Sequence, residues 1–323
     1  MDYQKFFKPI ERELQLVEAE LLNTLDTELP LLQESSRHLI KAGGKRLRPA
    51  FVLLAGRVFT DRVNELIHMA VALELVHLAS LVHDDVIDSS LLRRGKDTVK
   101  AKFGNQISIY AGNYILARAL MKVAEYNRAD VVDIIADTSI RVCEGEIVQL
   151  QTCFDVNQTL KDYLDRIERK TALLMAVSCH LGALLIGASP PHIKALKNFG
   201  HYLGMSFQIT DDILDFIADE ETLGKPTGSD IRQGIITLPA LYALRKEGEY
   251  SEELRKILSS SDDIERYADR AMEIVRNSGG IEFSERMAQQ YVKRAHKMLR
   301  LLPVCQSSAA LGQIADFVYA REF

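Results

Sequence analysis

Apolar residues recur at three- and four-residue intervals along almost the whole chain, the spacing that gives a helix one buried face. Residues 2–25 place Phe6, Ile10, Leu14, Val17 and Leu21 at that spacing and predict an amphipathic helix. Pro30 and Gly43-Gly44 punctuate the next segment, and Pro49 suits the first turn of a helix through about Val58. A long apolar helix is predicted over 62–90, ended by Arg93-Arg94-Gly95. Further helices are predicted at about 104–126, 128–151, 159–187 and 192–219. Pro190-Pro191 separates the last two, because a helix cannot run through it. Residues 220–233 read as a polar loop rich in turn formers. Helical patterning resumes from 235 to the end, broken near Gly279-Gly280 and Pro303. No strand alternation, low-complexity tract or linker is evident, so one all-α domain over 1–323 is expected.

Composition narrows the function classes. The 323 residues are 47% hydrophobic, enough for one large core. The net charge of -5 argues against a global basic field for nucleic acid, so anions must be held by local Lys and Arg clusters. Cys143, Cys153, Cys179 and Cys305 form no C-x-x-C pair and have no His at zinc-finger spacing. Reduced, mostly buried thiols in a cytoplasmic protein are expected. The N-terminus carries Glu11, Glu13, Glu18 and Glu20 and no apolar core of a signal peptide. The most membrane-like stretch, 172–188, has His180 in its middle and is shorter than the ~20 residues of a membrane span. It predicts a helix buried on all sides, with no transmembrane segment.

Candidate chemistry comes from a repeated acidic pattern. Asp84-Asp85-Val86-Ile87-Asp88 closes one long apolar helix, and Asp211-Asp212-Ile213-Leu214-Asp215 sits near the end of another. Residues four apart share a helix face, so Asp84 points with Asp88 and Asp211 with Asp215. Paired carboxylates on an apolar helix repel each other and lose hydration unless a cation compensates. Mg²⁺ fits, because it takes oxygen ligands and keeps positions open for water and phosphate. One such motif is a weak signal and marks a wet face on many helices. Two on apolar helices are a strong one, and together they predict several Mg²⁺ ions around one diphosphate.

A diphosphate also needs cationic donors. Gly43-Gly44-Lys45-Arg46-Leu47-Arg48-Pro49 puts two glycines and three basic residues at a predicted helix start. It is not a nucleotide-binding Walker A loop, since Leu39 and Arg46 stand where Gly and Ser or Thr are needed. Arg93-Arg94 comes soon after Asp88, Lys170-Thr171 precedes the apolar run, and Lys225 sits in a Gly-Lys-Pro loop suited to a lid. Each alone is more often surface charge. His77, two turns before Asp84, and Gln208, three residues before Asp211, fit either core or site.

Together GGKRLRP (43–49), ELVHLASLVHDDVID (74–88), RRG (93–95), KTA (170–172), FQITDDILD (207–215) and LGKPTGSD (223–230) resemble the trans-polyprenyl diphosphate synthase family, collinearly and over nearly the whole chain. Within it, the large catalytic subunits of long-chain synthases from Gram-positive bacteria are most similar. The resemblance implies an orthogonal bundle of ten or more helices around a deep central cavity, the isoprenoid synthase type. It implies that Asp84, Asp88 and Asp211 ligate Mg²⁺, with Asp85, Asp212 and Asp215 supporting. Lys45, Arg48, His77 and Arg94 would hold isopentenyl diphosphate. Arg93, Lys170, Thr171, Gln208 and Lys225 would hold an allylic diphosphate. Many relatives have Lys two residues before the Thr-Leu-Pro at 237–239, where this chain has Ile235, which removes one expected phosphate contact.

The implied activity is condensation of isopentenyl diphosphate with farnesyl diphosphate to a long all-trans product, C35, for menaquinone side chains. Small residues at Ala79 and Ser80, a turn before Asp84, imply room for a growing tail. A shorter, geranylgeranyl-type product stays open, as does a subunit inactive without a small partner. A homodimer or heterodimer is expected, with delivery of product to a membrane. A terpene cyclase is disfavoured because its second motif would carry Asn, Ser or Thr, and Glu. A silent regulatory subunit is disfavoured because nearly all metal and phosphate residues are retained.

Overall fold

A computed structural model describes residues 4–93, 95–218 and 227–320. Helices dominate, as the periodicity predicts. In chain order they begin with α1 (Glu11–Thr24), α2 (Pro30–Lys41), α3 (Leu47–Arg57), α4 (Ile67–Ile87), α5 (Val99–Ala124), α6 (Ala129–Gln151) and α7 (Leu160–Ile167). A π-helical turn, Glu168–Ala172, leads into α8 (Leu173–Leu185), and α9 (Pro190–Ile217) comes next. A short helix, Ser229–Arg232, precedes Leu238–Leu244, Glu249–Leu258, Ser261–Asn277, Gly280–Leu299 and Gln306–Tyr319.

The chain divides into two compact units. The first comprises Met1–Ser139, Leu174–Gly200 and Met298–Ile314; the second comprises Ile140–Leu173, His201–Lys297 and Ala315–Phe323. In the first unit α4 is the central helix and packs on α1, α2, α3 and α5. Its residues from Met69 to Val76 are all buried, so it is enclosed on every side there, and all but Glu74 are apolar. Each large aliphatic side chain buried there contributes about 1.5–3 kcal/mol. The second unit has its own core, including Tyr163, Phe216, Leu241, Leu258 and Val275.

Local sequence explains the boundaries. Thr159 and Asp162 form a capping box that starts α7, and Thr98 accepts the Ala101 N–H at the start of α5. Pro190 begins α9 in the first turn, where its missing N–H costs nothing.

Several expectations need correction. The helix predicted over 2–25 starts only at Glu11, because Pro9 lies in one of two preceding 3₁₀ turns. Leu14 is half-buried, whereas Glu13 is buried and pairs with Arg57 of α3 at 2.9 Å. The helix predicted over 159–187 is divided by the π turn. A two-residue antiparallel ladder, Leu92–Arg93 with Lys96–Asp97, stands after α4 where no strand was expected. Its pairing is too short to register as alternation. Among the described residues the one helix long and apolar enough to cross a membrane is Asn64–Ile87, not 172–188, and 67% of its window is buried. The cysteines are all free, but only Cys179 is buried and Cys143 is exposed.

Candidate active site

In the first unit, α4 carries the first acidic motif through its last turn. Asp85 is buried, Asp84 is half-buried and Asp88, the helix C-cap, is exposed. The expectation of a wholly buried carboxylate face therefore fails at Asp88, because the helix ends there and the chain turns to solvent. Arg93 on the short ladder donates from Nε and Nη2 to Asp85 Oδ1, at 2.8 and 2.7 Å. Asp85 is thus compensated by a guanidinium and sets where Arg93 lies.

The ladder is itself tied down. Lys96 Nζ donates to the Lys41 carbonyl at 3.1 Å, and a ring nitrogen of His38 lies 2.7 Å from the Asp97 carbonyl oxygen. Both contacts join it to the end of α2, just before the 43–49 turn. His77 is half-buried on α4, and the Ser80 hydroxyl donates to its carbonyl at 2.9 Å. Ala79 is buried and Ser80 half-buried.

The 43–49 turn separates its basic residues. Lys45 is exposed and Arg48 half-buried, while Arg46 is buried. Arg46 adopts a left-handed backbone, φ 48° and ψ 36°, and its side chain pairs with Glu18 of α1 and Glu74 of α4. Burial alone would lower its pKa; the hydrogen bond and charge of Glu18 and the charge of Glu74 more than offset this and raise it. Arg46 is thereby removed from the cationic cluster that the sequence suggested. Sequence reading missed Glu18 and Glu74; the only signal was Glu74 within an otherwise apolar helical run.

In the second unit, the π turn carries Lys170 and Thr171. Lys170 Nζ lies 3.3 Å from Glu146 Oε2 and 3.2 Å from Gln149 Oε1 of α6. The Thr171 hydroxyl donates to Gln208 Oε1 at 2.6 Å, and Gln208 Nε2 donates to Asp212 Oδ1 at 2.8 Å. Tyr163 completes this chain, its hydroxyl donating to Asp212 Oδ2 at 2.7 Å.

Two glycines allow the approach. A Cβ on Gly145 of α6 would stand 2.8 Å from Arg169 Cβ, and one on Gly204 of α9 would stand 2.4 Å from Ala172 Cα. Both helices therefore close on the π turn, a distortion often found at functional sites.

The second acidic motif is more deeply set. Asp211 is half-buried, whereas Asp212 and Asp215 are buried. Burial, helped by nearby Asp230, pushes the Asp212 carboxyl up to about 7 against the opposing hydrogen bonds of Gln208 and Tyr163. Asp215 accepts the Ser229 hydroxyl at 3.0 Å and the Asp230 N–H at 3.1 Å, and so holds the short helix that comes after it. Ile235 N–H donates to the Asp230 carbonyl at 2.9 Å. Arg94 and Lys225 lie outside the described residues.

Among the described residues no group of three or more His, Cys, Asp or Glu side chains is placed to hold a metal ion. The motifs offer carboxylate oxygens without thiolates, the donor set of a hard cation. Mg²⁺ is typically bound by one or two carboxylates and completed by water and phosphate, so this donor set fits it.

Comparison with known proteins agrees with this chemistry. Residues 29–275 match the family described as Polyprenyl synthetase. The chain is 44% identical over 323 residues to "Heptaprenyl diphosphate synthase component 2" of Geobacillus stearothermophilus, covering 100% of both chains. The crystal structure of heptaprenyl diphosphate synthase from Staphylococcus aureus superposes with a TM-score of 0.92 at 36% identity, covering 97% of this chain and 99% of that one. A polyprenyl synthase from Caulobacter crescentus, complexed with calcium and isoprenyl diphosphate, superposes with a TM-score of 0.94 at 32% identity, covering 100% and 98%. With its all-α fold and both aspartate motifs in place, this chain belongs to the polyprenyl synthetase family and is a prenyltransferase.

Proposed function

We propose that this chain is the catalytic component of an all-trans heptaprenyl (C35) diphosphate synthase. It uses isopentenyl diphosphate and farnesyl diphosphate and serves menaquinone side-chain synthesis. The observation that carries this reading is the 44% identity, over the full length of both chains, to a heptaprenyl diphosphate synthase component 2. The word "component" in that relative's name supports a partner subunit, and self-association is the other arrangement to be tested.

Asp84, Asp88 and Asp211 hold Mg²⁺, supported by Asp85, Asp212 and Asp215. Bound there, Mg²⁺ supplies positive charge to the diphosphate leaving group. Lys170, Thr171, Gln208, Arg93 and Lys225 bind the allylic diphosphate. Lys170 and Thr171 exchange their present contacts with α6 and Gln208 for phosphate oxygens. As negative charge builds on the departing diphosphate these groups stabilise it, and the allylic C–O bond ionises. Lys45, Arg48, His77 and Arg94 hold isopentenyl diphosphate so that its double bond attacks the allylic cation. The proton then lost passes to the released pyrophosphate. No Ser or Cys nucleophile takes part.

The test is incubation of the purified chain with Mg²⁺, farnesyl diphosphate and labelled isopentenyl diphosphate, with and without a candidate small partner, reading product length by chromatography. A C35 product supports the proposal; a product stopping at C20 under both conditions discards it. In the same assay Ala79→Tyr is expected to shorten the product, and an unchanged length removes Ala79 as a determinant.

A further inference from the structure

Arg46 is the basic residue of the 43–49 turn that the proposed binding set does not use. Its left-handed backbone is rare for a residue with a Cβ and strained, so it persists only where the surroundings impose it. Here they do. Nη1 donates to Glu74 Oε1 at 3.0 Å, and Nη2 donates to Glu18 Oε2 at 3.2 Å and to the Ile40 carbonyl at 3.3 Å. Nε also donates to Glu18. The Arg46 carbonyl in turn accepts the Ala50 N–H at 3.0 Å in the first turn of α3. One residue thus binds α1, the end of α2, the start of α3 and α4. The ion pair is deep, with side-chain exposures of 9% for Arg46 and 3% for Glu74.

A buried ion pair is weak evidence for added stability, since well-packed apolar replacements often serve as well. What a guanidinium fork adds is direction, because its bonds fix an orientation that an apolar side chain leaves open. That direction matters between Lys45 and Arg48, and Glu74 stands three residues before His77 on the same helix.

We propose that Arg46 is a positioning residue: gripped by Glu18 and Glu74, it holds the 43–49 turn in the conformation that presents Lys45 and Arg48 to isopentenyl diphosphate. This rests on the proposed role of Lys45 and Arg48 in binding that substrate.

The test uses the enzyme in its active form, alone or with partner, and compares Arg46→Lys, which keeps charge but loses the fork, with Arg46→Met. Both are expected to raise KM for isopentenyl diphosphate about tenfold, with KM for farnesyl diphosphate within about twofold and kcat within about threefold. Equal rises in both KM values, or a lower melting temperature with unchanged isopentenyl KM, would overturn it. Glu18→Gln, at a side chain that is 45% exposed, covers the case in which Arg46 variants fail to fold. It is expected to raise isopentenyl KM about threefold, and no change overturns the proposal. Lys45→Ala and Arg48→Ala locate any failure. If they raise isopentenyl KM and the Arg46 and Glu18 variants do not, the positioning role alone is wrong. If none moves it, the substrate assignment of the turn falls and takes the positioning role with it.

Discussion

The two acidic motifs spell the same pattern, yet their surroundings assign the carboxylates differently. In the first, only Asp85 is buried, against Arg93, while Asp84 is half-buried and Asp88 is exposed at the helix end. In the second, Asp212 and Asp215 are both buried, one under Tyr163 and Gln208 and the other on Ser229 and the Asp230 N–H. The cause lies in the chain just beyond each motif. After Asp88 the helix stops, and the chain leaves as a short exposed ladder. After Asp215 the helix continues to Ile217, and the segment from Thr227 folds back on it. Identical spacing therefore leaves two residues of the first motif and one of the second at least partly exposed. The remaining carboxylates organise the local fold.

This contrast can be broken experimentally. The largest effect is expected at the half-buried leading aspartates. Asp84→Ala and Asp211→Ala should each lower turnover more than ~100-fold, or ~2.7 kcal/mol in barrier. Near-normal turnover in either would remove it from the reaction. The third positions should then part company. Asp215→Ala leaves the Ser229 hydroxyl and Asp230 N–H without their acceptor and should cost about 1–3 kcal/mol of stability in denaturant titration. Asp88→Ala should slow turnover but leave stability unchanged within about 0.5 kcal/mol; equal destabilisation by both would erase the distinction.

The smallest effect is a slope. Folded Asp212 keeps its proton up to about 7, against 3.8 for the free group, so between those values the folded state binds more protons than the unfolded one. In chelator-treated protein, stability should fall as pH rises through that window, and Asp212→Asn should flatten the fall. Parallel curves of melting temperature against pH would contradict the burial argument.

Much of this was legible in advance. The helix positions derive from apolar spacing, and Pro190 and Gly279-Gly280 mark real boundaries because proline and glycine act through backbone chemistry alone. The motif residues stand out because charge in an apolar run is costly. The π turn at Glu168–Ala172 was not legible, since its sequence continues the helical pattern and only the close approach of α6 and α9 explains its packing. The role of Arg46 is hidden in the sequence for a related reason. Beside Lys45 and Arg48 it looks like a third phosphate ligand, and its partners Glu18 and Glu74 each lie 28 residues away along the chain.

By itself the sequence determined the helical class, the two carboxylate clusters and the family, because periodicity and motif spacing are properties of the linear chain. Only the tertiary structure decided which members of those clusters face inward to pair with Arg93 or accept hydrogen bonds from Tyr163, Gln208 or Ser229. Burial and hydrogen bonding depend on segments far apart in the chain, and a residue's charge acquires its role from the partners that folding brings to it.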